Sequence, residues 1–399
     1  MSKNAIINNK ATFNILSFIV IISIIWEPLR VFYINFDAAG RSFFMLLILG
    51  CMLSFNKCLK ICFNSIFAIY TFLAIYIVIN ALAKGTTLVW GTPFIIIRNV
   101  ISPVLLMYLT VGMAQYSLDK TLKIIVIALY IFALLCGTND VAQEERLGTD
   151  INANTIALNA MFCIWSIVFL FIRSQISLIW TIVLSVYPTY LIFLTGSRTA
   201  LAVGMVAIIV NVVISTKAKA SSYFKLLIFG IIVCAAYMYI MENTLVGERL
   251  AGTTTQTDGK TYETGTILDI FGDRGHQYYV SWPYFLDNFW TGIGLRKWIT
   301  LSPYGLVFHS EYLVQYCENG IIALTLFLTF FYKILAGLKE SKKKYINYKN
   351  CINYLIIIII GIMVINLFYW SFNQLQFFVF YGLALAFCIK ERNSVKKIC

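Results

Sequence analysis

Charge and histidine are what this chain has least of. Only 12% of its 399 residues are Asp, Glu, Lys or Arg, and His276 and His309 are its two histidines. It has no Walker-type phosphate loop and no CxxC or HExxH pair, so the usual sequence signs of a nucleotide site, a thiol pair or a zinc site are missing. Ten cysteines do occur, but Cys51, Cys62, Cys163, Cys234, Cys317, Cys351 and Cys388 lie in apolar runs and none falls within 243–308. They read as small apolar packing residues rather than as a disulfide framework or metal site.

What the chain has in quantity is hydrocarbon. It is 60% hydrophobic with a mean hydropathy of +0.81. Its apolar runs of about 15 to 23 residues match what a helix needs to cross ~30 Å of lipid. The reading is an all-α polytopic membrane protein of about 12 transmembrane helices, within a range of 10 to 13. Candidate spans are 11–27, 41–56, 61–83, 93–114, 121–138, 153–172, 176–195, 199–215, 224–242, 310–337, 351–371 and 373–390. The chain divides accordingly into spans one to nine (1–242), a large loop (243–309) and spans ten to twelve with a tail (310–399). Trp26, Glu27 and Pro28 stand where a signal peptide would need small residues, so the first span is read as retained.

Lysine and arginine segregate. With the N-terminus inside, 19 of the 31 basic residues fall in inner loops and tails, which puts both termini in the cytoplasm. The net charge of +13 therefore needs no nucleic acid partner, and Lys342, Lys343 and Lys344 read as an anchor to anionic lipid headgroups. The outer set holds Arg30, Arg41, Lys84, Arg98, Arg146, Arg198, Arg249, Lys260, Arg274, Arg296 and Lys297. Eight of these 11 are arginine, against two of the inner 19. Outer headgroups are one partner for such a face; phosphate, which a guanidinium grips through two parallel bonds, is the other.

The outer loop 243–308 is too polar to insert and too long for a connector. Tyr279, Trp282, Phe285, Leu286 and Phe289 recur at helical spacing, predicting an amphipathic helix on the outer leaflet. A glycine turn at Gly292 and Gly294 follows; with no preceding strand, this G-I-G is not a nucleotide fingerprint. Inner segments are too short to fold around a nucleotide, so any chemistry belongs on the outer face with a lipid-borne, pre-activated substrate.

Four outer elements qualify: Arg146-Leu-Gly with Asn152-Ala-Asn154, Thr195-Gly-Ser-Arg198-Thr-Ala, Asp273-Arg274, and His309-Ser310 with Glu318-Asn-Gly320. In this order, with a tryptophan and G-x-G after the loop arginine, they resemble the O-antigen polymerase and ligase superfamily. These are bacterial envelope glycosyltransferases that use undecaprenyl-pyrophosphate-linked glycans on a multi-span fold with one large periplasmic loop. The likeness covers about Arg146 to Ala323. The histidine is followed by Ser310 where many relatives have Asn, and the last element reads ENGIIAL instead of a second glycine pair.

The resemblance implies that Arg198 and Arg274 bind the pyrophosphate and that His309 is catalytic, with Arg98, Arg146, Asn154, Arg296 and Glu318 as supporting candidates. It implies an inner-membrane polymerase joining lipid-linked repeat units at the periplasmic face, or a ligase passing the glycan to lipid A core. No metal or cofactor is called for. The partners implied are the undecaprenyl-pyrophosphate-linked oligosaccharide and membrane lipids, with a chain-length regulator and a flippase as proteins to work beside.

The residues allow independent reasoning on those roles. Breaking the anomeric bond gathers negative charge on the leaving pyrophosphate, which arginines in a water-poor pocket stabilise. If Ser310 caps the tenth span, His309 stands at a positive helix end that keeps its imidazole neutral and able to take a proton. A histidine bonded to a backbone carbonyl at the interface is the plain alternative, and His276 reads as structural. On one straight helix Glu318, nine residues on, faces away from His309 and bonds a neighbouring span or an acceptor sugar. Arg98 lies in an apolar stretch, where a charge is a functional candidate by default. A lipid-linked oligosaccharide flippase is the rival from another class, but the chain shows no internal repeat and its arginines cluster at one face.

The topology is directly testable. In a cysteine-free background, Thr254→Cys is expected to react with a membrane-impermeant maleimide added outside the inner membrane. Labelling only after that membrane is permeabilised would invert the arrangement.

Overall fold

The computed structural model describes residues 3–34, 45–50, 52, 64–85, 96–139, 151–215, 273–302, 308–369 and 374–389. Among these the fold is all helical, with no strand. The main helices are α1 (Lys3–Leu29), α2 (Ser65–Lys84), α3 (Ser102–Tyr116), α4 (Leu118–Asn139), α5 (Ala153–Ile172), α6 (Leu178–Thr195) and α7 (Arg198–Ser215). After the polar loop come α8 (Asp273–Asp287), α9 (Gly320–Lys344), α10 (Lys349–Ile365) and α11 (Leu375–Ile389). Seven apolar helical stretches of 18 to 25 residues are long enough to cross a membrane, and Thr199–Val210 and Leu375–Ile389 are shorter apolar helices. A polytopic membrane protein is what this describes.

Local chemistry explains the helix ends. Asn64 and Asn152 accept hydrogen bonds from the backbone N–H of Ile66 and Asn154, each at 2.9 Å, and so start α2 and α5. Within the apolar helices Ser23, Thr110, Ser166 and Thr189 return their hydroxyls to the carbonyl four residues back, which hides a donor where no water is present. The interior is aromatic. Trp165, fully buried on α5, packs with Phe162 and Phe380, and its carbonyl accepts the Tyr354 hydroxyl of α10 at 3.0 Å.

The loops sort to two ends of the bundle. At one end Arg173, just past α5, makes a bidentate pair with Asp119 of α4 at 2.8 and 3.1 Å and lies over the Tyr348 ring at the start of α10. The other termini of these helices, about 30 Å away at 1.5 Å per residue, meet the ends of α2, α6 and α9 and the loop segment from α8 onward.

Two expected spans differ. The apolar stretch expected as one span over 93–114 is a π-turn at Ile97–Ile101 followed by α3, with Pro103 in the first turn of α3. Pro103 lacks a backbone N–H, so it suits the start of a helix and not its interior. The span expected over 310–337 begins only at Gly320. A single turn at Glu311–Leu313 and a π-turn at Val314–Glu318 precede it. Of the expected span 41–56, residues 45–50 are helical; the expected span 224–242 lies outside the described residues.

The expected loop helix is α8, with its glycine turn behind it. Phe285 is buried, while Tyr279, Trp282, Leu286, Phe289 and Trp290 are exposed. Their neighbour α2 bears its own exposed stripe of Phe72, Ile75, Ile79 and Leu82, and Tyr76 beside that stripe donates to the Trp290 carbonyl at 3.3 Å. An aromatic face running on from a lipid-facing stripe suits the membrane surface. A spin label at Leu286→Cys is expected to collide more with lipid-soluble oxygen than with a water-soluble nickel complex; the reverse would put α8 in water.

Candidate functional site

The glycines of G-I-G and E-N-G meet in space. Residues 289–296 cross residues 317–321 almost in contact. Ile293 N–H donates to Cys317 O at 2.8 Å, Gly294 N–H to Glu318 O at 2.8 Å, and Ile321 N–H to Phe289 O at 2.9 Å. Gly292 and Gly320 have φ of 66° and 78°, and a Cβ on either would collide with the backbone of the opposite segment, at Glu318 and Trp290 respectively. The C-terminal end of α2 clamps the crossing. Asn80 Nδ2 donates to Thr291 O at 2.9 Å, the Tyr76 hydroxyl to Asn319 O at 2.9 Å, and Lys84 Nζ to Gly292 O.

Glu318 lies inside this crossing, buried, and its Oε2 accepts the N–H of Arg296 at 2.9 Å. Arg296 is itself left-handed, at φ 62°. Burial raises the Glu318 carboxyl to about 7, although the Arg296 charge and the N–H groups of Arg296 and Trp298 pull it down. Glu318 therefore bonds the glycine loop, not a neighbouring span, and the straight helix assumed for its relation to His309 does not exist.

His309 stands at the start of the same interrupted segment, eleven residues before α9, instead of at the doorstep of the spanning helix. Ser310 does cap, with Oγ accepting Leu313 N–H at 3.4 Å, but it caps the single turn Glu311–Leu313. The positive end of the 25-residue helix lies at Gly320, eleven residues on, instead of at His309. Packing and hydrogen bonds hold the His309 segment. Phe308 stacks on Trp298 at 4.5 Å in a small core with Ile293, Leu313, Val314 and Cys317, separate from the main one. Gln277 Oε1 of α8 accepts the His309 N–H at 3.1 Å. The Tyr278 hydroxyl lies 2.7 Å from Ser310 Oγ and 3.1 Å from Leu367 O.

The turn after α10 joins this segment to the second element. Asn366 O accepts Ser310 Oγ–H at 3.1 Å and Glu311 N–H at 2.9 Å. Three residues on, the Tyr369 hydroxyl lies 2.8 Å from Thr155 Oγ1. Thr155 adjoins Asn154, whose Oδ1 accepts Ser197 Oγ–H at 3.0 Å in the α6–α7 turn. That turn reverses the chain through Gly196 at φ 61° and puts Arg198 first on α7. Arg274 is the second residue of α8, one turn before Gln277 and Tyr278.

The structure thus gathers His309, the backbone of Arg198 and Arg274, Asn154, Arg296 and Glu318 at one end of the bundle. Arg98 contributes a backbone position in the π-turn Ile97–Ile101; Arg146 lies outside the described residues. Sequence reasoning missed Gln277, Tyr278, Asn366, Tyr369, Asn80 and Glu311. Glu311 is fully buried and accepts Gln315 Nε2 at 2.7 Å. Asn80 was visible as a lone amide in an apolar span; the others carry no signal apart from the fold.

With this geometry in place, the comparisons with known proteins are informative. The model of a family described as O-antigen ligase matches residues 180–328, which spans α6, α7, α8, the crossing and the start of α9. No curated protein matches the chain. The resemblance to the O-antigen polymerase and ligase superfamily is supported by this match, and with it a membrane enzyme of the glycan-joining, polymerase or ligase type.

The crossing yields two expectations. Gly320→Ala, which forces a left-handed residue with a side chain into backbone, should lower stability on the order of 2–4 kcal/mol, read as thermal unfolding in detergent. Glu318 has a folded value raised above that of an exposed carboxyl, so the folded state keeps a proton that the unfolded one releases. Its contribution is full at acid pH and lost as pH rises through about 7. Glu318→Gln should flatten that decline between about pH 4.5 and 7; a curve unchanged in Gln would put the proton elsewhere.

Proposed function

We propose that this chain, O-antigen ligase-like over 180–328, is a polymerase of the bacterial inner membrane that joins undecaprenyl-pyrophosphate-linked repeat units at the periplasmic face. The observation that carries the reading is the bridge 366–369, which ties the histidine segment to the turn that starts α7. In the reaction an acceptor sugar hydroxyl attacks the anomeric carbon of the donor. The new glycosidic bond forms, the bond to the pyrophosphate breaks, and the pyrophosphate leaves on its lipid.

The hydroxyl's proton goes to His309 as general base. Arg198 and Arg274 take up the charge developing on the pyrophosphate. Both occupy first turns of helices, of 18 and 15 residues, where unpaired backbone N–H groups and the helix dipole also favour an anion. Asn154 and Glu318 hold the two turns in place; Arg296 stands by the crossing. Lipids that meet the aromatic face of α8 keep the site at the depth of the donor's headgroup. Ligation onto lipid A core is the second reading, favoured by the description of the matching family. A deletion strain separates them: single capped repeats mean lost polymerisation, and uncapped core with carrier-linked polymer means lost ligation.

Arg198→Ala and Arg274→Ala are each expected to lower turnover ~10²–10³-fold at equal protein level, with Lys rescuing only in part. His309→Asn should lose ~10²–10⁴-fold in elongation of purified lipid-linked repeats in liposomes. Wild-type product from these variants would return the arginines to lipid headgroups and the histidine to a plain interfacial role.

A further inference from the structure

The residues given roles so far leave out the two side chains that grip the histidine segment. Gln277 and Tyr278 are adjacent on α8, and they fasten the two sides of the His309–Ser310 peptide. Gln277, buried, accepts the His309 N–H at 3.1 Å, and the Tyr278 hydroxyl meets Ser310 Oγ at 2.7 Å and Leu367 O at 3.1 Å. One hydroxyl therefore joins three separate pieces of chain: the loop helix, the segment before α9 and the turn after α10. Tyr278 and Ser310 have one hydroxyl proton each for three contacts, including Ser310 to Asn366 O at 3.1 Å. The protons can run from Tyr278 through Ser310 to Asn366, or from Ser310 through Tyr278 to Leu367.

We propose that Gln277 and Tyr278 are positioning residues for His309, setting where its imidazole stands relative to the acceptor hydroxyl. This rests on the reading of His309 as general base. Three features make it more than packing. The small core under His309 already supplies apolar contact through Phe308 and Trp298, so a hydroxyl and an amide are not needed there for burial. The bonds go to His309 and Ser310 themselves, and not to neighbours further along. The same helix carries Arg274 one turn earlier, so the junction also sets the spacing between the residue that takes the proton and one that takes the charge.

The test is a double-mutant cycle on turnover in liposomes with purified lipid-linked repeats. Tyr278→Phe keeps the ring and removes only the hydroxyl. It is expected to lower kcat ~10²-fold with little change in KM, because a misplaced base costs that much while donor binding is untouched. Gln277→Ala should behave alike, and Gln277→Glu should lose less because a carboxylate oxygen still accepts the N–H. In a His309→Asn background, Tyr278→Phe should have no further effect, since it acts through a base no longer there.

Wild-type kcat in Tyr278→Phe would overturn the inference. So would an undiminished loss in the His309→Asn background, which would show that Tyr278 acts on something other than His309 while leaving the histidine's role intact. Near-normal turnover by His309→Asn alone would instead remove the general base on which the inference stands.

Discussion

The backbone crossing between Gly292 and Gly320 is the constraint on which the His309 end of this bundle depends. It interrupts what hydropathy alone would continue as one long helix, and so frees residues 309–318 to leave the axis of the span and fold back against α8. Each glycine is required by the backbone of the opposite segment, and the clamp from α2 satisfies polar groups that the interruption exposes. Without it, Ser310 and His309 would begin a spanning helix and point wherever its first turn sent them. With it, they are held by a separate small core and by two side chains of the loop helix.

Burying Glu318 in that crossing is costly for a charge, and the fold answers the cost in two ways. The carboxyl is pushed toward its neutral form, and Arg296 with backbone N–H groups stands beside it for the charged one. The acid is thereby a structural lock whose strength varies near neutral pH. The phosphate-directed arginines are handled differently. They sit at helix starts, where partial positive charge accumulates, and in the proposed reaction an anion from the substrate completes the balance.

The class of fold was legible in the sequence because lipid imposes both composition and length. Helix α5 over Ala153–Ile172 coincides with its expected span, and so does the end of α6 at Thr195. The loop helix was legible because Tyr279, Trp282 and Leu286 keep helical spacing with exposed apolar side chains. The start of the tenth span was not. Residues 310–319 carry Glu311, Gln315, Glu318 and Asn319, a polarity that a window over 310–337 averages away, and hydropathy does not register that Gly320 must be left-handed. For the same reason the partners of His309 were hidden: Gln277 and Tyr278 reach it across more than thirty residues of chain, a relation that no local pattern encodes. The arginines drew attention by their number. That Asn154 latches the Arg198 turn through Ser197 needed coordinates.

The central claim is that the α7 start, the α8 start and the His309 segment form one site at one end of the bundle, joined through the 366–369 turn. The most direct measurement is a structure of the protein in lipid nanodiscs with a non-hydrolysable lipid-pyrophosphate glycan bound. The account predicts the pyrophosphate between the first turns carrying Arg198 and Arg274, with the anomeric carbon facing His309. Density for the pyrophosphate at the opposite, lysine-rich end near Lys342, or at the outer end but remote from His309, would contradict it.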